Sequence, residues 1–171
     1  MLVGVRQTGQ ALYSLLRLEA GAQSLPASTP FLLTSLSLYG LSEFGLASLG
    51  HGTDVSLLAG FIAVLLLVVL TTVALSFAGY PSRVMQTLSA LAAAGAVVDC
   101  SRFILQLLLQ AAVPVANLGT SLLFPLLVWH FLICAYVYRG ALARGSFHSR
   151  GLALAYVLSL VALRRSLDVW A

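Results

Sequence analysis

The feature that most constrains this chain is a run of 24 residues, Val55 to Ala78, without a single charge. Fifteen of them are Val, Leu, Ile or Phe. A helix of about 20 apolar residues crosses the ~30 Å hydrocarbon core of a bilayer. At very roughly −0.4 kcal/mol per large apolar residue, the run favours insertion by about 6 kcal/mol. The rest of the sequence agrees. It is 60% hydrophobic and 8% charged, with a mean hydropathy of +1.01, where soluble domains run at about 45–50% and about 25%. Nine basic and five acidic residues cannot wet the surface of an 18.0 kDa globule. That excludes a soluble enzyme, a disordered chain and a nucleic-acid-binding protein.

The expected fold is all-α. It is a polytopic membrane helical bundle of five transmembrane helices, with four possible, preceded by a short N-terminal amphipathic helix. Residues 1–30 hold that helix and a Pro/Ser turn, and residues 31–171 hold the bundle. The spans fall at about 31–49, 55–78, 84–113, 117–138 and 151–170. In the first helix Gln7, Gln10, Ser14 and Arg17 share one stripe, with Val5, Leu12, Leu15 and Leu16 opposite. Such a pattern fits a helix lying in the membrane interface or one packed on the bundle from the cytosol. Arg6, Arg17 and Glu19 interrupt the region where a cleavable leader would need its apolar stretch, so none is expected. Pro114 ends the third span, and Pro125 places a kink in the fourth.

The last segment is short of charge-free residues, because Arg164 and Arg165 follow only 13 of them. The positive-inside rule alone slightly prefers a segment lying on the membrane. Arg165 nevertheless stands about 21 Å beyond Gly151 at 1.5 Å per residue, within snorkelling reach of the far headgroups. A fifth span is therefore expected, with the N-terminus cytoplasmic and the protein in a cell membrane, the bacterial inner membrane.

All nine basic residues are Arg. Three of them, Arg139, Arg144 and Arg150, stand in what reads as a cytoplasmic basic loop, a topology determinant that would also attract anionic lipids. Asp99 and Arg102 are spaced i, i+3 inside the third span, so their side chains can meet. Glu43 lies about 18 Å along the first span from Phe31, which puts it in the same layer. A Glu43–Asp99–Arg102 cluster would carry one net negative charge. It reads either as a buried lock on helix register or as an ion relay or lipid-headgroup pocket. The run Ala90, Ala92, Ala93, Ala94, Gly95, Ala96 and the pair Gly40/Gly45 permit close helix approach. Cys100 and Cys134 read as buried space-filling thiols. His51, His130 and His148 form no metal-binding spacing, so neither a metal nor a cofactor is expected.

Three segments carry a resemblance. They are Ser24-Leu-Pro-Ala-Ser-Thr-Pro30 before the first span, Arg83-Val-Met-Gln-Thr-Leu-Ser-Ala-Leu91 opening the third, and Tyr136-Val-Tyr-Arg-Gly-Ala-Leu142 closing the fourth. Together they resemble a group of small bacterial inner-membrane proteins with a Yip1-like, five-span layout. Yip1-domain proteins of eukaryotes engage small GTPases through cytosolic segments. No DLYGP-type motif is present here, so the resemblance implies a layout and no functional residue.

Function is then expected to be non-enzymatic: an accessory or scaffold component of a membrane assembly, contacting lipid and either a membrane-protein partner or a second copy of itself. The alternative is a small transporter or channel subunit that lines its path with Glu43, Asp99 and Arg102. A lipid-modifying enzyme ranks third, with only His51 and Asp54 near one another in the outer loop.

Overall fold

Ser28 and Pro30 show how the sequence starts a helix here. The Ser28 hydroxyl accepts from the Phe31 N–H at 3.4 Å, and Pro30 occupies the first turn, where its missing N–H is harmless. In the computed structural model, which describes residues 2–112, 116–142 and 146–170, every long element is helical. The elements are α1 (Leu2–Leu16), α2 (Thr29–Ala47), α3 (Thr53–Phe77), α4 (Val84–Ala112), α5 (Ala116–Leu142) and α6 (Ser146–Trp170). Single 3-10 turns at Ala22–Ser24 and Pro81–Arg83 precede α2 and α4.

Among the described residues, three stretches are long and apolar enough to cross a membrane: Thr53–Phe77, Pro81–Ala111 and Leu123–Leu142. α3 shows the inverted burial expected of such a helix. Its outward stripe is Leu57, Phe61, Leu65, Val69, Val73 and Phe77, each about half exposed or more. At 1.5 Å per residue that stripe is about 30 Å tall, the thickness of the hydrocarbon layer. Its inward stripe is Ser56, Ala59, Gly60, Ala63, Leu67, Thr71 and Leu75. Large apolar groups face out, and apart from Leu67 and Leu75 the residues facing in are small or polar, largely the reverse of a soluble helix.

The turn after α3 has a clear cause. Gly79 takes a positive φ of 84°, and the Tyr80 and Gly79 N–H groups donate back to the Leu75 and Ser76 carbonyls. That arrangement closes the helix end and is strained for any residue with a Cβ. Arg83 then closes the end of α5. Its Nη1 donates to the Ala141 carbonyl at 2.9 Å and the Gly140 carbonyl at 3.3 Å, satisfying groups that the helix leaves open.

α4 is the central helix, packing on α1, α2, α3 and α5. Every residue from Thr87 to Ala96 is buried, and small side chains dominate that run. α1 is tied to the bundle at its end, where Leu15 is fully buried and Trp129 Nε1 donates to the Leu16 carbonyl. Gln7, Gln10 and Arg17 stay exposed.

Three expectations need correction. The basic loop is not a twelve-residue loop, because α5 runs on to Leu142 and α6 already begins at Ser146. Buried Ala141 and Leu142, with the Arg83 cap, carry α5 four residues past the expected end. Arg139 lies in the last turn of α5 and Arg150 in the first turns of α6, both exposed. Arg144 and Pro114 lie outside the described residues. Cys134 is buried as expected, whereas Cys100 is exposed, because it sits on the outward side of α4 next to inward-facing Asp99. The third correction concerns the charge cluster.

Candidate functional site

Four charged side chains meet near the end of the bundle that carries His51. On α2 the buried stripe Ser35, Tyr39, Ser42, Glu43 and Leu46 brings Tyr39 and Glu43 to one face, four residues apart. On α4 Asp99 and Arg102 share a face as their spacing requires. On α6 the buried positions Ala153, Tyr156 and Leu160 lead by helical steps to Arg164.

Arg164 is the hub. Its Nη2 lies 2.8 Å from both Glu43 carboxylate oxygens and 3.3 Å from Asp99 Oδ1. Arg102 Nη1 reaches the same Asp99 oxygen at 3.4 Å. Glu43 and Asp99 are buried, at 3% and 0% exposure. Two carboxylates and two guanidiniums sum to zero charge, where the sequence reading gave one net negative. Arg164 therefore does not snorkel outward. It neutralises the cluster, while Arg165 beside it is exposed. The signal that could have found it is the step of four beyond Leu160 along the buried stripe of α6.

A hydroxyl pair sits directly beneath. Tyr39 Oη donates to Glu43 Oε1 at 3.4 Å and lies 2.7 Å from Tyr156 Oη. With its own proton directed at Glu43, the Tyr39 oxygen accepts from Tyr156. Gly95 makes room for this pair, since a Cβ there would stand 3.0 Å from two Tyr39 ring carbons. The His130 ring packs edge-on to Tyr156, with centroids 6.1 Å apart. Further along, the Thr71 and Tyr138 hydroxyls are bonded at 2.9 Å. Tyr39, Tyr156 and Thr71 were not singled out in the sequence, because a lone Tyr or Thr in an apolar helix looks like packing.

A cavity of about 220 Å³ adjoins the cluster. Glu43, Arg102, Arg164, Gln106 and His51 form its polar wall, and Leu46, Leu160 and Leu163 much of its apolar wall. His51 Nδ1 lies 3.1 Å from the Ala47 carbonyl at the end of α2, and Asp54 is exposed in the first turn of α3. Two buried atoms of the cluster, Asp99 Oδ2 and Arg102 Nε, have no hydrogen-bond partner among the described residues. Among those residues no three His, Cys, Asp or Glu side chains gather into a group that could hold a metal.

The structure thus brings together Glu43, Asp99 and Arg102, the cluster expected from sequence, adds Arg164, and leaves Arg139 and Arg150 at the opposite end of the bundle. No known protein family, curated protein or solved structure matches this chain.

Proposed function

We propose that this chain is a five-span, non-enzymatic integral membrane protein of Yip1-like layout, acting as an accessory or scaffold component of a membrane assembly. The observation that carries the reading is the charge-neutral tie of Glu43, Asp99, Arg102 and Arg164, which clamps α2, α4 and α6 at one level. Mutual neutralisation removes the objection to α2 and α6 crossing, since neither then carries a bare charge into lipid. Outward-facing Leu33, Leu38 and Leu41 on α2 and Leu154 and Leu158 on α6 give both helices a lipid-compatible face. With Arg164 internal, Arg83, Arg139 and Arg150 at one end stand against Arg165 at the other. That asymmetry favours the Arg83 end as cytoplasmic, in a bacterial inner membrane, with α1 at the cytoplasmic interface and anionic lipids near its Arg residues.

Two measurements test this reading. A reporter fused after Ala171 should read as non-cytoplasmic, and a cytoplasmic signal would remove the fifth span. Purification in mild detergent should retain a stoichiometric membrane-protein partner or a second copy of the chain. A homogeneous monomer after crosslinking in intact membranes would reject the scaffold role.

A transporter or channel subunit is the second reading. It is favoured by the hydroxyls that run inward from Glu43 through Tyr39 and Tyr156. Proton or ion flux in proteoliposomes that is unchanged by Asp99→Asn would discard it.

A further inference from the structure

We propose that the cavity beside the four-charge cluster binds the phosphate group of an organic phosphate ester, with carbon atoms of the ligand against Leu160 and Leu163. The inference goes beyond the assembly role, because it requires only the geometry of this one site.

Its basis is an excess of open donors. A guanidinium carries five N–H groups and no acceptor. Arg102 uses only Nη1 in the cluster, and Arg164 only Nη2. The remaining Nη N–H groups of both make no hydrogen bond to the protein's described residues, whereas Arg102 Nε, also unbonded, is as fully buried as Asp99 Oδ2 and is not counted as open to the cavity. Gln106 adds a side-chain amide to the same wall. Acceptors are already engaged, for both Glu43 oxygens take Arg164 Nη2. The one open carboxylate oxygen, Asp99 Oδ2, is buried, and Asp99 does not line the cavity. A site rich in open donors and poor in open acceptors selects an acceptor-rich anion, and planar guanidiniums match phosphate oxygens best.

Size and place narrow the ligand. About 220 Å³ is several times the ~30 Å³ share of one water and fits a glycerophosphate-sized head rather than a bare ion. The cavity lies at the end of the bundle, beside the α2–α3 connection at Gly50 and His51, which is headgroup depth. A phospholipid head from that leaflet and a soluble phosphate ester share this chemistry.

The experiment is thermal melting of the full chain in a neutral maltoside detergent. The additives are glycerol 3-phosphate, phosphatidylglycerol in mixed micelles, and diacylglycerol as the phosphate-free control. A rise in melting temperature with phosphatidylglycerol but not diacylglycerol supports the site and identifies a lipid source. A saturable rise with glycerol 3-phosphate supports it and identifies a soluble one. Gln106→Leu and Leu163→Trp remove a donor and fill the cavity without touching the ionic tie. Each should melt near wild type without ligand. Gln106→Leu should weaken apparent affinity about tenfold or more, the loss expected for one hydrogen bond to a charged group, and Leu163→Trp should weaken it at least as much by occupying the ligand's space. No rise with either phosphate probe, an equal rise with diacylglycerol, or unaltered affinity in both variants overturns the proposal.

Discussion

Arg164→Leu is expected to be the most damaging single substitution in the bundle, lowering stability by about 3–5 kcal/mol, the range for removing one partner of a buried ion pair. The reason lies in what stays behind. Glu43 and Asp99 are at 3% and 0% exposure, and Arg164 Nη2 is the short contact for both, at 2.8 and 3.3 Å. Without it, among the described residues, Glu43 keeps only the Tyr39 hydroxyl at 3.4 Å, and Asp99 only Arg102, also at 3.4 Å. Two carboxylates then share a low-dielectric site with one cation. Removing all the charges at once should do far less harm. A variant carrying Glu43→Gln, Asp99→Asn, Arg102→Leu and Arg164→Met should fall within about 2 kcal/mol of wild type, because replacing a whole buried ionic group is often close to neutral. Melting of detergent-purified protein checks both. If Arg164→Leu melts with wild type, the tie does not hold the helices. If the fully neutral variant is as unstable as the single one, the loss comes from packing rather than unpaired charge.

That result would also explain how far the sequence could be read. Val55–Ala78 announced its helix by length alone, and α3 covers it to within two residues at the start and one at the end. Asp99 and Arg102 were legible because i, i+3 spacing is a property of one helix. Glu43 was legible because counting residues along a helix gives depth. Arg164 was not, since depth says nothing about rotation. Arg164 and Arg165 are both at the far end of α6, and only the packing of that helix decides which one turns inward. Tyr39 and Tyr156 were missed for a related reason: a hydrogen bond between residues 117 apart has no local signature. The end of α5 and the start of α6 were misjudged because Arg139 and Arg150 look like loop residues, while capping by Arg83 carries α5 past Arg139 to Leu142 and α6 begins at Ser146, before Arg150.

Gly60→Ala should be the costliest of the glycine substitutions. An alanine normally favours a helix over glycine by about 1 kcal/mol, yet here a Cβ would stand 2.7 Å from the Gly40 carbonyl oxygen. That atom is α2 backbone, so no rotamer relieves the clash and the two helices must part. Overpacking of this kind costs about 1–3 kcal/mol. Gly95→Ala should come next, because the obstructing atoms belong to the Tyr39 ring, which Tyr156 holds at 2.7 Å. Gly40→Ala meets only the Val64 Cγ2 methyl at 3.1 Å and should be milder. At Gly140 an added Cβ meets nothing within 4 Å among the described residues, so Gly140→Ala should be neutral or slightly stabilising. The order is measured by melting the four variants side by side; Gly60→Ala melting with Gly140→Ala would mean that α2 and α3 do not cross at Gly40. The effect should also reach the charged site. The same added Cβ would lie 3.4 Å from the Phe44 backbone nitrogen, one residue from Glu43. Parting the helices there draws the Glu43 carboxylate away from Arg164, so Gly60→Ala and Arg164→Leu should lose less together than the sum of the two.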